Sequence, residues 1–176
     1  ELNKGADLSN LENKSKIFLN QVGLLSLKPK IIVCNVDEAS LQSGNKYTQI
    51  ISEKYPSEKI LTICADFEDQ LSSLDKEEKL KFMKETGLEK MGISKLIKSG
   101  YDLLDLQTFF TSGPEESRAW TIKKNTLAPK AAGVIHTDFE KNFIRAEAVD
   151  TNDFIKFGSA EKCKENGRLR IEGKDY

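Results

Sequence analysis

The chain has 176 residues, enough for one ordinary domain or two small ones. Hydrophobic residues make up 38% and charged residues 31%, which excludes a disordered chain and fits a globular one with a core. The formal net charge is -1, so bulk charge does not recommend a nucleic-acid partner, and only a local basic patch could.

The cysteines Cys34, Cys64 and Cys163 are odd in number, widely spaced and without a CxxC pair. They suggest neither a disulfide framework nor a zinc site, and reduced thiols in a cytoplasmic protein are the plain reading. No apolar run approaches the roughly 20 residues that span a bilayer, so no membrane partner is expected. The first ten residues are polar and lack a signal peptide's apolar core. The absence of an initiator Met is what a fragment would show.

Residues 8–21 read as an amphipathic helix with Leu8, Leu11, Phe18 and Leu19 on its apolar side. Gly23 and Pro29 then punctuate the chain. Ile31-Ile32-Val33-Cys34 is an unbroken apolar run that predicts a strand buried on both faces, as in a parallel sheet. Residues 35–40 leave it as a polar loop at the strand's C-terminal end, where open α/β sheets bind ligands. A helix is expected over 47–54, closed by Tyr55-Pro56, and a second strand over 59–64 that runs into the polar stretch 65–68. Strand, loop, helix, strand, loop is half of a doubly wound α/β layout.

Leu74-Asp75 opens a lysine- and glutamate-rich helix that ends at Thr86-Gly87, its charges forming a solvated face. A further helix over 93–104 is interrupted or capped near Gly100. After Leu106 the pattern changes to short strands, which places a domain boundary there. Residues 109–111, a turn at Ser112-Gly113-Pro114, the period-two segment 118–122 and a loop over 125–129 come first. A short helix over 130–136 and an alternating strand over 143–149 follow. Strand, strand, helix, strand is the opening of a β-grasp, the ubiquitin-like α+β fold.

Two polar constellations close the two predicted strands. Asn35-Val36-Asp37-Glu38 stands where P-loop GTPases carry Asn-Lys-x-Asp. That aspartate accepts from guanine's ring N–H and exocyclic amine, and adenine offers neither donor there. With Val36 and Glu38 the guanine-reading pattern is broken, while the Asn35 amide can pair with adenine's N6 amine and N7 acceptor together. Cys64-Ala65-Asp66 occupies the place of the second base loop, which touches the base through backbone groups. Either tetrapeptide alone fits an ordinary polar turn, and it is the pair at two strand ends that argues for a base site.

The most specific signal is Arg118-Ala-Trp-Thr-Ile-Lys-Lys124, then Ala131-Ala-Gly-Val-Ile-His-Thr-Asp-Phe-Glu-Lys141, Phe143-Ile-Arg-Ala-Glu147 and the closing Glu172-Gly-Lys-Asp-Tyr176. Together with Asn-x-x-Glu in place of Asn-Lys-x-Asp, it closely resembles the YchF (Obg-like ATPase) family over nearly the whole chain. The resemblance implies the end of a helical, coiled-coil insertion over 1–22 and the C-terminal part of a P-loop NTPase G domain over 23–106. A β-grasp TGS domain over 107–176 would follow, lacking its final strand. It implies a ribosome-associated P-loop NTPase that binds and hydrolyses ATP in preference to GTP with Mg2+. Asn35, Val36, Asp37, Glu38, Cys64, Ala65 and Asp66 would carry the base.

No Gly-x-x-x-x-Gly-Lys-Ser/Thr occurs, so no phosphate cradle, catalytic residue or Mg2+ ligand is expected in this chain, and alone it is expected to be inactive. Asn142 stands where the family has Gly, and a left-handed turn is expected to survive there. His136, the only histidine, is read as fixing a helix end rather than as a base, since no nucleophile travels with it. Trp120 and Phe143 are read as core, and Cys34 and Cys64 as inert buried thiols. Lys123, Lys124, Lys130, Lys141 and Arg145 are either ordinary surface charges or a patch for ribosomal RNA phosphates. The competing reading is a non-catalytic TGS-type module that binds RNA or protein, of the kind found in translation and stringent-response proteins.

Overall fold

The computed structural model describes residues 21, 23–25, 28–85, 91–113 and 115–176. The helix expected over 8–21 lies outside them except for Gln21, as do the helix end at Thr86-Gly87 and Pro114 of the expected turn. The chain divides into two compact units, Glu1–Leu104 and Asp105–Tyr176.

The first unit is built on two parallel strands rich in β-branched residues. β1 (Ile31–Asn35) and β2 (Lys59–Ile63) pair from Ile31 opposite Lys59 to Asn35 opposite Ile63. A 3-10 turn (Glu38–Ser40) and α1 (Lys46–Lys54) form the crossover. α1 starts in a capping box. The Asn45 side-chain oxygen accepts from Tyr47 and Thr48 N–H at 3.0 and 3.1 Å, and Thr48 Oγ1 accepts from Asn45 N–H at 2.8 Å.

β1 is not buried on both faces as its sequence predicts. None of its residues is fully buried, and Val33 is 39% exposed. Two-sided burial needs flanking strands and covering layers, and among the described residues β1 pairs with β2 alone.

Residues 65–68 do not form a polar loop either. They open α2 (Ala65–Ser72), whose Phe67 and Leu71, one turn apart, are buried with Cys64. Leu41, Leu74, Phe82 and Met91 pack around them, and the Phe67 and Phe82 rings lie 5.5 Å apart. Burying each of the larger side chains contributes about 1.5–3 kcal/mol.

α3 (Lys76–Glu85) begins at Asp75, whose Oδ1 accepts from Glu77 and Glu78 N–H, both at 2.9 Å. Glu78 Oε2 accepts in return from Asp75 N–H at 3.2 Å, and residues 75–78 are exposed, as expected of a solvated charged face. α4 (Gly92–Leu103) packs on both strands and runs unbroken through Gly100, near which an interruption or a cap was expected, to its C-cap at Leu104. An internal glycine costs a helix only about 1 kcal/mol, and packing on the sheet outweighs that.

The second unit opens with an antiparallel hairpin, β3 (Leu106–Ser112) and β4 (Ser117–Lys123), in which Phe109 faces Trp120. α5 (Ala128–Ile135), with Pro129 in its first turn, packs on β4, where Ile122 is buried. α6 (Thr137–Lys141) follows so closely that a Cβ on Gly133 would lie 2.6 Å from Glu140 Oε2.

The strand expected over 143–149 shrinks to β5 (Ala146–Ala148). It is followed by α7 (Thr151–Phe157), α8 (Ala160–Glu165) and β6 (Arg170–Glu172), which pairs antiparallel with β5. These last three elements are too short to show a clear period, but Asp150 and Ser159 cap the two helices through their side chains. Cys163 is sealed between them with no exposed surface. Among the described residues the hairpin and the β5–β6 pair are separate ladders. Asn142 is not left-handed as expected. Its φ is -103°, and its N–H caps α6 by bonding the Asp138 carbonyl. No helix among the described residues is long and apolar enough to cross a membrane.

Candidate nucleotide-base site

Because β1 and β2 are parallel and end in register, their following residues emerge at the same edge of the sheet. Val36 N–H donates to the Ile63 carbonyl at 2.8 Å, carrying the ladder one residue beyond the strands. Next to it, Asn35 Oδ1 accepts from Ala65 N–H at 2.9 Å. One side chain thus ties the loop after β1 to the first turn of α2, across 30 positions of sequence.

This bond changes how Asn35 can meet a base. Pairing with both N6 and N7 of adenine calls on the amide oxygen, which already serves Ala65. The oxygen keeps a second lone pair and the NH2 group its two donors, so the amide can still meet a base edge that offers both a donor and an acceptor.

Asp37 turns into its own loop. It caps the 3-10 turn, with Oδ1 accepting from Ser40 N–H at 2.8 Å. Hydrogen bonds from the Ser40 side chain, and then from its backbone, hold this carboxyl below the usual aspartate range. Glu38, the first residue of that turn, is exposed. In the second loop Cys64 is 5% exposed and belongs to the core with Phe67 and Leu71, so its side chain faces away from solvent. Ala65 and Asp66 are exposed in the first turn of α2, where the Ala65 N–H is held by Asn35 and the Asp66 side chain faces solvent. Cys34 is half-buried, and all three thiols are free.

Glu68 was not singled out by sequence. Its two carboxylate oxygens accept from Gly92 N–H and from Ile93 N–H, the latter at 3.3 Å, and so cap the start of α4 from α2. The available signal is negative: Met91, at the N-cap of α4, has no side-chain acceptor, so those N–H groups need one from elsewhere. A cavity of about 410 Å3 lies beside this clamp, lined by Ile63, Ala65, Glu68, Met91, Ile93 and Leu96 among others. No group of three His, Cys, Asp or Glu side chains converges to hold a metal ion among the described residues.

In the second unit His136 is the N-cap of α6. Its Nδ1 accepts from Asp138 N–H at 3.2 Å, the helix-end role expected of it, and its ring lies 5.9 Å from that of Phe139. Trp120 is half-buried, donating from Nε1 to Thr111 Oγ1 at 2.9 Å, and the Arg118 guanidinium sits 4.3 Å from its ring centroid. Phe143 is half-buried. The basic residues are spread over several segments. Lys123 ends β4 and Lys124 follows it, Lys130 lies in α5, Lys141 ends α6, and Arg145 precedes β5.

An α/β unit in which the end of β1 is tied to the first turn of α2 at one sheet edge, followed by a unit of short strands and helices, defines the class, and comparison with known proteins specifies it. Residues 106–176 match the family model YchF-GTPase_C, described as "Protein of unknown function (DUF933)". The ribosome-binding ATPase YchF of Haemophilus influenzae is 44% identical over 168 residues, covering 94% of this chain and 46% of that protein. The protein of the same name from Bacillus subtilis is 43% identical over 169 residues, with the same coverage of 94% and 46%. Obg-like ATPase 1 of Danio rerio is 40% identical over 163 residues, covering 90% of this chain and 41% of that one. The solved structure of the Schizosaccharomyces pombe YchF GTPase matches with a TM-score of 0.79 at 32% identity, over 99% of this chain and 48% of that one. The chain belongs to the YchF family and spans about half the length of the curated relatives it matches.

Proposed function

We propose that this chain is the C-terminal part of a cytoplasmic, ribosome-associated ATPase. The end of a helical insertion would occupy residues 1–22, the closing part of a P-loop G domain 23–106, and a β-grasp TGS domain 107–176. Its own contribution to nucleotide binding is base recognition, with ATP favoured over GTP. The observation that carries this is the Asn35–Ala65 hydrogen bond at 2.9 Å, which joins two candidate loops at the carboxyl edge of a parallel strand pair.

The preference for adenine rests on what the first loop lacks. Its fourth position is Glu38 rather than Asp, and Asp37 is committed to Ser40, so no short carboxylate is presented to guanine's two donors. The backbone around Val36 and Ala65 and the Asn35 amide then frame the base without demanding those donors. Bound ATP with Mg2+ would supply the phosphoryl chemistry, and the groups that cradle phosphate and metal would lie outside this chain. The second unit, with Lys123, Lys124, Lys130, Lys141 and Arg145, would contact the ribosome.

The test is an NMR titration of the chain with ATP and with GTP, beside a Val36→Lys, Glu38→Asp double variant that restores the guanine-reading pattern. The expected result is a shift of the ATP-to-GTP affinity ratio toward GTP by on the order of tenfold or more. An unchanged ratio would place base selectivity outside this loop.

A further inference from the structure

We infer that Glu68 is a positioning residue for base recognition, fixing the first turn of α2 against α4 so that Ala65 meets Asn35. This rests on the base-loop reading above. Glu68 lies one turn beyond Ala65, and its own N–H donates to the Cys64 carbonyl at 3.0 Å. Its carboxylate holds the N–H groups of Gly92 and Ile93. At the other end of the same turn, Ala65 N–H is held by Asn35 Oδ1. One turn of helix is therefore gripped from the sheet on one side and from α4 on the other.

Elsewhere α2 is anchored by Phe67 and Leu71 in the core and, at its far end, by the Lys79 ammonium donating to the Ser72 carbonyl at 3.3 Å. Apolar burial is non-directional, so it sets the depth of the helix but constrains its rotation weakly. The Glu68 bonds are directional and charge-assisted, and an anion at a helix N-terminus is also favoured by the helix dipole. The close approach is built into the backbone: a Cβ on Gly92 would lie 2.8 Å from Glu68 Oε1 and 2.9 Å from Ile63 Cγ2. α4 itself packs on β1 and β2, so the clamp refers the second base loop back to the strands that carry the first.

The experiment compares the wild-type chain with Glu68→Ala, Glu68→Gln and Asn35→Ala. ATP and GTP affinities are read by NMR titration, and amide hydrogen exchange at Ala65 is followed in parallel. Glu68→Ala is expected to weaken ATP binding about tenfold, to bring the ATP-to-GTP ratio toward one and to speed exchange at Ala65. Glu68→Gln, similar in size but with one acceptor oxygen, is expected to fall between, and it decides the matter if the alanine variant does not fold. Affinities that fall equally for both nucleotides would make Glu68 a purely structural clamp and overturn the proposal. So would weakened binding by Asn35→Ala with the Glu68 variants unchanged. If Asn35→Ala also leaves binding unchanged, the base-loop reading itself fails, and the role of Glu68 fails with it.

Discussion

Asp37 sits in the middle of the candidate base loop, yet its hydrogen bonds are internal to its turn. The Ser40 side chain and then the Ser40 backbone N–H favour the ionised carboxyl, so its folded pKa lies below the unfolded one. A depressed aspartate contributes stability that is fully present above the ordinary pKa of about 3.9 and is lost as pH falls through the lower folded value. Acidification through that window should therefore loosen the turn locally. The Ser40 amide resonance is expected to shift and its exchange to quicken, and Asp37→Asn should remove most of this pH dependence. His136 caps the start of α6, where the Asp138 N–H donates to its Nδ1 at 3.2 Å. Replacing it with Ala should cost about 0.5–2 kcal/mol as a lost N-cap, while Asn, a good capping residue, should cost less. Thermal unfolding of both variants checks this. Equal losses would show that the ring's contact with Phe139, and not the cap, is what matters.

At the scale of elements, α4 contains two glycines that ask opposite things of the chain. Gly92 is buried at its first position, with Glu68 and Ile63 where a side chain would go. Gly92→Ala should destabilise the protein by about 1–3 kcal/mol, because it overpacks the contact and displaces the clamp. Gly100 lies inside the same helix with nothing within 4 Å of an added Cβ. Gly100→Ala should instead stabilise by about 0.5–1 kcal/mol, since alanine loses less backbone freedom in a helix. Melting temperatures of the two variants should move in opposite directions. A shared direction would mean that helix propensity, and not the fit against α2, governs both positions.

At the scale of the whole molecule, the two units divide the proposed labour. Purified to remove contaminating ATPases, the chain is expected to release no phosphate from ATP above background, because positioning and charge stabilisation of the phosphates supply nearly all of phosphoryl-transfer catalysis. Measured turnover would place a phosphate site within these 176 residues. The second unit is expected to associate with ribosomes through its basic residues. Replacing Lys123, Lys124 and Lys141 together with Ala should weaken co-sedimentation and flatten its salt dependence, since each lost phosphate contact releases fewer counterions. Identical curves for variant and wild type would make these lysines solubilising only and leave the unit a protein-contacting or structural one.

Local chemistry was legible in the residues. The β-branched runs gave β1 and β2, Leu74-Asp75 opened α3, and the motifs from Arg118 onward carried the family resemblance. These signals act within a few positions of sequence, where propensity and capping decide conformation. Contacts between distant residues were not legible. Phe67 and Leu71 turned an apparent loop into α2, β1 pairs with β2 alone among the described residues, and Asn35 Oδ1 met Ala65 N–H across 30 positions of sequence. Nothing in the sequence near Glu68 announces that it caps a helix beginning 24 residues later. Sequence by itself determined the family resemblance and where β1 and β2 lie, because those are local and hydropathic properties. The tertiary structure alone decided how the loops are joined, because donors and acceptors distant in sequence find one another only once the sheet and helices bring them together.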